Sequence, residues 1–499
     1  MVNSSTCGVQ GTPAVAFLAG ESLPFFKTGG LADVIWSLSN ALVEAGADVR
    51  VFLPWHRRQC LVDAARLVLE WSGRVSHGGR VLPVRLFSCR LGRGVVFYLL
   101  DQPELFGRSH LYGPAGGDFS DNPFRFSFFC RAVLELLPAI GFRPRIIHGH
   151  DWHAALASVY LRELFHRKPF YRGMKTVFTV HNLGYQGVFP KEAFALLSLP
   201  DGLFTPEGLE FYGRLNMLKG GLLFSDRLTT VSPSYSREIQ TAEYGLGLEG
   251  VLRMRSDRLT GILNGIDRRY WDPGTDPLIR FDYAPGDSAG KAANKKILCR
   301  DQRLDANGPL LGMVTRLVPE KGLSLLQQTM PGIIALGFRL HLLGGGLAEY
   351  ENFFRAAAAR LRGRFAFSPG YQEKTAHRIY AGADFLLMPS LYEPCGLSQM
   401  IALRYGTVPV VRRTGGLGDS VTAFDGLHGN GFLFTEPVPA TLEKCLAQAI
   451  DAYRDPVRWS RLVGNAFAAD FSWTGPAGQY LELYRTLAKE AGDGPAGGE

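Results

Sequence analysis

Ala14–Gly46 reads AVAFLAGESLPFFKTGGLADVIWSLSNALVEAG, and the order of signals in it decides the fold. Ala14–Leu18 is a strand-sized run, apolar on both faces as in a buried parallel sheet. From Leu31 the spacing changes. Leu31, Val34, Ile35, Leu38 and Leu42 form one helical stripe, and Gly46 follows as a stop. Between strand and helix, Lys27-Thr28-Gly29-Gly30-Leu31 places a cation and two glycines where the helix begins.

The same unit recurs along the chain. Apolar runs at Val49–Leu53, Val95–Leu100, Ile146–His148, Thr176–Val180, Arg227–Val231 and Gly261–Leu263 alternate with helical patterns. Asp267–Asp287 breaks the alternation with Pro273, Gly274, Pro277, Pro285 and Gly286, and reads as a crossover between domains. Strand signals restart at Leu310–Val314 and continue at Arg339–Leu343, Phe365–Phe367, Phe385–Met388, Val408–Val411 and Gly431–Phe434, with helices such as Glu443–Tyr453 between them. Glu320-Lys321-Gly322-Leu323 echoes the first lysine–glycine turn. The chain of 499 residues is too long for one hydrophobic core, and two doubly wound α/β domains account for it.

Composition narrows the function classes. A hydrophobic fraction of 46% and a charged fraction of 20% belong to a folded globular protein. The longest apolar runs are strand-sized, so no membrane span is expected. No Lys or Arg precedes Lys27, so Pro13–Gly20 lacks the charged flank of a signal peptide, and a cytoplasmic protein is expected. The cysteines (Cys7, Cys60, Cys89, Cys130, Cys299, Cys395, Cys445) are scattered, with no C-x-x-C pair, which argues against a disulfide framework and a thiolate zinc site. The net charge of +8 is spread without blocks, which fits an anionic small substrate better than nucleic acid.

In open parallel sheets, ligands bind beyond the carboxyl ends of the strands. Lys27, His148-Gly149-His150-Asp151, His181-Asn182, Ser232, Asn264-Gly265, Arg316 and Lys321 all follow apolar runs, which predicts a cleft. Lys27–Asp33 offers a cation and exposed amides at a helix start, as an anionic phosphate needs, without the spacing of a P-loop. Arg316 and Lys321, five apart after a strand, can neutralise a diphosphate without a metal. His148, His150 and His153 suggest zinc, but such close spacing wraps a tetrahedral ion poorly and no distant fourth ligand is evident. A polar loop at the cleft floor is the reading taken. No Asp-x-Asp triplet occurs, so the usual divalent clamp for a sugar nucleotide is missing.

Glu393-Pro394-Cys395-Gly396-Leu397-Ser398 follows the strand Phe385–Pro389 and leads into a predicted helix at Leu397–Tyr405. It presents a carboxylate together with amide N–H groups. Cys395 has no adjacent histidine to activate it and reads as a buried thiol. Thr414–Asp419 reads as a second glycine-rich turn.

Together these motifs resemble the bacterial glycogen synthases and plant starch synthases. KTGGLAD at 27–33, HGHDWH at 148–153, TVHNLGYQG at 179–187, TVSPSYSRE at 230–238, LNGID at 263–267, TRLVPEKG at 315–322, EPCGLSQ at 393–399, VRRTGGLGD at 411–419 and the closing Phe471-Ser472-Trp473 stand in that family's order. The resemblance implies a glycosyltransferase-B architecture of two Rossmann-like domains facing across a cleft. It places an acceptor-side domain at 1–264, a donor-side domain at 265–472 and a helix at 473–490 returning to the first domain.

It further implies glucose transfer from ADP-glucose to the non-reducing end of an α-1,4-glucan, with retention and without metal or cofactor. Its site residues map onto His181, Glu393, Arg316 and Lys321 as the catalytic set. Lys27, Gly30, Asp33, Asn264, Tyr371, Cys395, Gly396, Leu397 and Ser398 map onto the substrate-binding set, with Tyr371 at the base. Gly344-Gly345-Gly346-Leu347-Ala348 departs from the family's usual Gly-x-Gly-Asp-Pro stretch, and Thr315 and Ser398 exchange one hydroxyl residue for another.

Three alternatives remain open. A UDP-glucose-dependent relative differs by no residue that the sequence fixes. A phosphorylase needs a lysine Schiff base to pyridoxal phosphate, for which no motif exists. An inactive glucan-binding regulator should have lost Lys27, His181, Arg316, Lys321 or Glu393, and all are present. A glycosidase would need a second carboxylate beside Glu393. With a cationic clamp and no Asp-x-Asp, dialysis against EDTA is expected to leave activity intact; a loss that zinc or magnesium restores would revive the His148/His150/His153 centre.

Overall fold

The computed structural model describes residues 12–114 and 117–490, so Cys7 lies outside the described residues. The chain divides into two compact units. One runs to Val231 and adds Ser236–Ile262 and the segment from Trp473 onward; the other combines Ser232–Tyr235 with Leu263–Ser472.

The first unit contains β1 (Val15–Leu18), β2 (Val49–Pro54), β3 (Val68–His77), β4 (Arg80–Leu91), β5 (Val95–Asp101), β6 (Ile146–His150), β7 (Lys175–Val180), the short strands β8 (Val188–Pro190), β9 (Glu210–Phe211) and β10 (Arg214–Asn216), then β11 (Arg227–Thr230) and β12 (Leu259–Gly261). Nine of them form one sheet in the order β12-β11-β7-β6-β1-β2-β5-β4-β3. The strands from β12 to β5 are parallel, whereas β4 and β3 run antiparallel at one edge. This edge departs from the sequence reading. In β4, buried Leu82, Val84 and Leu86 alternate with exposed Val81, Pro83 and Arg85, so a half-exposed strand never shows the continuous apolar run of a parallel one. The last run also shifts, from the expected Gly261–Leu263 to Leu259–Gly261.

The HGHDWH segment is a second correction. His148 and His150 are strand residues of β6, fully buried, rather than parts of a polar loop. They do share one face, with ring centroids 4.1 Å apart. His148 joins the sheet to the C-terminal helix Thr474–Glu490: its Nδ1 lies 2.7 Å from the Tyr484 hydroxyl, and its Nε2 lies 2.6 Å from Thr179 Oγ1 on β7. Thr179 Oγ1 in turn lies 2.5 Å from Thr229 Oγ1 on β11. Trp473, Ala477, Tyr480, Leu481, Tyr484 and Leu487 are buried in the same apolar cluster as Val15, Phe17, Val34, Leu38 and Val49.

The second unit is a six-stranded sheet of β13 (Leu310–Val314), β14 (Arg339–Gly344), β15 (Phe365–Pro369), β16 (Phe385–Met388), β17 (Val408–Arg412) and β18 (Phe432–Phe434). Its order, β15-β14-β13-β16-β17-β18, reverses direction between β13 and β16, and all pairings are parallel. Every loop leaving β13 and β16 therefore exits at one end of the sheet, on neighbouring strands. Thr414–Asp419 is not a simple turn: Gly415–Ser420 is a short helix. Among the described residues, no helix is long and apolar enough to cross a membrane, and no cluster of His, Cys, Asp or Glu forms a metal site.

Two outcomes follow from the interior of the first unit. Tyr484→Phe would leave buried His148 Nδ1 without its partner and should destabilise this unit by about 1–3 kcal/mol, read from its urea midpoint. Burial also holds His56, His148, His150 and His153 well below the usual imidazole range, while it raises Glu21 and Asp151 to about 7. Unfolded, the imidazoles titrate near ~6.5 and the carboxyls near ~4. His77 and His181 are lowered to about 3 as well, so between these values unfolding binds protons on six histidines and releases them from two carboxyl groups, and stability falls as pH drops. A lower Tm at about pH 5 than at about pH 7.5 is expected, and the reverse order would contradict this balance.

Candidate active site

In the first unit the polar groups gather where β1, β6 and β7 end, at the place where strand order reverses between β1 and β6. Past β1, Glu21 is almost fully buried and points back at the turn before the helix Gly30–Glu44. It accepts from the Thr28 backbone N–H and, at 3.0 Å, from the Thr28 hydroxyl. Burial is the largest influence on its pKa and raises it to about 7 against the pull of those two bonds. Lys27, held within 2.8 Å of Asp33, stands at the head of the same turn. The N-cap of the helix is Gly29, which has no side chain to satisfy the first amides of the turn that starts at Gly30.

His181 follows β7 and keeps a partly accessible surface. Its Nε2 lies 3.0 Å from His150 Nδ1, and burial pushes its pKa down to about 3. It is therefore a neutral imidazole at ordinary pH, acting through hydrogen bonds and not charge. Asp151 fixes its backbone. Placed just after β6 with φ +56°, Asp151 turns its carboxylate to accept the His181 N–H at 2.7 Å. A left-handed backbone is unusual for a residue other than glycine and marks a geometry held by its surroundings.

In the second unit, Met313–Arg316, Lys321, Leu387, Met388, Ser390, Glu393 and Gly396–Ser398 line a pocket of ≈ 170 Å³ at the β13/β16 reversal. Lys321 Nζ sits 2.8 Å from each oxygen of Glu393, and the Ser390 hydroxyl donates to the same carboxylate at 2.8 Å. Arg316, half-exposed, lies 3.7 Å from Glu320. Gly322 sits at φ +69° and caps the helix Leu323–Ala335 without a side chain. A Cβ there would stand 2.0 Å from the Pro389 carbonyl oxygen, so only glycine lets this turn reach the end of β16.

The Glu393–Ser398 turn is braced from beneath. The Gln399 amide donates to the carbonyls of Cys395 at 3.0 Å and Gly396 at 2.9 Å, and the Gly416 N–H donates to the Glu393 carbonyl at 3.1 Å. The Cys395 thiol is buried beside Asn264, and burial pushes it up to about 12, which makes it an inert thiol. The Ser398 hydroxyl receives the Tyr380 hydroxyl at 3.0 Å. Arg316, Lys321, Glu393, Gly396, Leu397 and Ser398 are thus brought together. Tyr371 stands outside this lining, exposed between β15 and the helix Glu373–Gly382.

Sequence reasoning did not assign Glu21, Ser390 or Gln399, and it placed Asp151 among the polar residues that follow a strand. A carboxylate inside the apolar stretch Ala19–Phe26 was the available signal for Glu21. The others become visible only once the loops are folded.

Comparison with known proteins identifies the family. Residues 14–254 match the model of the starch synthase catalytic domain, and residues 294–462 match glycosyl transferases group 1. A glycogen synthase of Geotalea daltonii is 43% identical over 96% of this chain and 99% of its own length. One of Anaeromyxobacter dehalogenans is 46% identical over 95% and 99%. Among solved structures, the catalytic domain of starch synthase IV from Arabidopsis thaliana, bound to ADP and acarbose, has a TM-score of 0.89 at 34% identity, covering 96% of this chain and 100% of that one. Sucrose-phosphate synthase from Thermosynechococcus elongatus, at 18% identity and a TM-score of 0.60, shares the fold. The two Rossmann-like units, their loop chemistry and these relatives agree: the chain belongs to the glycogen and starch synthase family of glycosyltransferases with the glycosyltransferase-B fold.

Proposed function

We propose that the enzyme transfers glucose from ADP-glucose to the non-reducing end of an α-1,4-glucan with retention of configuration. The observation that carries this reading is the pocket at the β13/β16 reversal, where Arg316 and Lys321 surround a space beside one carboxylate, Glu393. The similar starch synthase IV structure holds ADP and acarbose, which supports an adenine nucleotide as donor and an α-glucan as acceptor.

The chemistry follows from the groups. A nucleoside diphosphate is a ready leaving group, so the main demand is to stabilise charge as it departs. Lys321 has three N–H donors; Glu393 orients two of them, and the third is directed at the diphosphate together with the Arg316 guanidinium. Glu393, fixed by Lys321 and Ser390, receives sugar hydroxyls, and the Cys395–Leu397 amides complete the sugar contacts. Asn264 and Ser398 support this turn, and Tyr371 serves the base.

In the first unit, Lys27, Gly30 and Asp33 meet substrate, and neutral His181 lies at the glucosyl group, using its ring or its main-chain oxygen. Labour divides accordingly: residues 1–264 serve the acceptor, 265–472 serve the donor, and 473–490 complete the first part. One carboxylate already engaged by a lysine does not supply the pair that a glycosidase needs.

Incubation with glycogen and either ADP-glucose or UDP-glucose tests the donor, with nucleotide release as readout. Faster release of ADP is expected; preferred use of UDP-glucose would overturn the donor assignment. Lys321→Ala should lower kcat by roughly 10²–10³-fold, and kinetics within about twofold of the parent would remove Lys321 from the clamp.

A further inference from the structure

The hairpin joining β9 to β10 turns through two residues, Tyr212 and Gly213, with φ of +49° and +76°. Positive φ at both central positions belongs to the tightest hairpin turns, where Asn-Gly or Asp-Gly is favoured and a bulky first residue is strained. Tyr212 occupies that strained place, yet 80% of its surface is exposed, so core packing does not explain it. The turn is pinned all the same: the Gly213 N–H donates to Glu210 Oε1 at 2.5 Å. A second turn repeats the pattern. Leu246 and Gly247 have φ of +49° and +85°, and Leu246 is 49% exposed.

The two turns meet. A Cβ on Gly247 would lie 3.3 Å from the Tyr212 ring and 2.9 Å from the Phe211 ring, so the tyrosine leans on bare glycine backbone. Gln186 ties both to the loop that carries His181: its amide donates to the Leu246 carbonyl at 3.2 Å and accepts from the Asn216 amide at 2.7 Å. Its neighbour Tyr185 is also exposed. Three apolar side chains, two of them on strained turns, are thus held at the surface next to the HNLGYQG loop. Backbone strain kept in place by this many contacts, beneath a ring that touches Phe211 and the Gly247 turn at its edge and leaves 80% of Tyr212 exposed, points outward to a ligand.

We propose that Tyr212, Leu246 and Tyr185 form a surface platform on which an outer chain of an α-1,4-glucan stacks, anchoring polymeric acceptor to the first unit. Uncharged pyranose faces suit rigid, amphipathic tyrosine rings, whose hydroxyls can meet the sugar rim. The occupant is argued from continuity with the His181 loop, and the proposal rests on the glucan-acceptor reading above.

Native electrophoresis in gels with and without glycogen, free of nucleotide sugar, tests it. Tyr212→Asn gives the turn the residue it favours while removing the ring. Its apparent Kd for glycogen should rise about three- to tenfold with no loss of Tm, whereas Tyr212→Phe should match the parent. Equal retardation of Tyr212→Asn and parent overturns the platform and leaves the acceptor reading standing. A parent that glycogen does not retard at all overturns both. A lower Tm in Tyr212→Asn, or a smaller mass than the parent without glycogen, also overturns the proposal, by assigning the ring to folding or to a second copy of the chain.

Discussion

The second unit depends on main chain lying directly against main chain. Placed on Gly322, a Cβ would stand 2.0 Å from the Pro389 carbonyl; on Gly344, 2.0 Å from that of Thr315; on Gly346, 2.3 Å from that of Leu317. On Gly415 and Gly416 it would stand 2.0 and 2.1 Å from the carbonyls of Glu393 and Cys395. Contacts this close admit no side chain. The loops that bear Arg316, Lys321 and Glu393 are therefore braced by glycine at each neighbouring strand end. Lys321 and Glu393 can then form a partly buried pair in fixed geometry, which compensates the desolvation of both charges. The Gly344–Gly346 stretch, which departs from the family's usual pattern, belongs to this bracing: Gly346 forms a parallel bridge with Leu317 behind the arginine.

The fold was legible because parallel strands buried on both faces write themselves as unbroken apolar runs. Leu310–Val314 and Phe385–Met388 appear in the structure with the bounds read from sequence. The β3–β4 hairpin was not legible, since its alternation is diluted by Pro83 and by exposed Val68, Leu69 and Val81. Local propensity was overridden at Gly415–Ser420, where glycines that favour a turn form a helix because the chain must pass flat over the Glu393–Cys395 carbonyls.

Candidate site residues were legible where they break an apolar run at a strand end, as Lys27, His181, Arg316 and Glu393 do. The groups that set their properties were not. Asp151 governs His181 through a backbone N–H, and Glu21 governs the Lys27 turn through Thr28; neither relation has a sequence spacing that announces it. Nor could sequence show that His148 faces a tyrosine 336 positions away. Spacing reports neighbours along one element, whereas burial and long-range partners depend on the assembled sheet.

That long separation bears on how the protein is made. The apolar cluster around β1 and the helix Gly30–Glu44 includes Trp473, Tyr480, Tyr484 and Leu487, so the unit that begins with β1 is completed by a segment that follows the whole β13–β18 sheet in the chain. The β13–β18 sheet has all its strands earlier in the chain and can close while translation continues. Until Thr474–Glu490 emerges, the face of the first sheet that this helix covers, together with buried Phe17 and Leu38, stays open to water and to chaperones. During synthesis, therefore, the core around β1 cannot be completed until the segment beyond the β13–β18 sheet has been made.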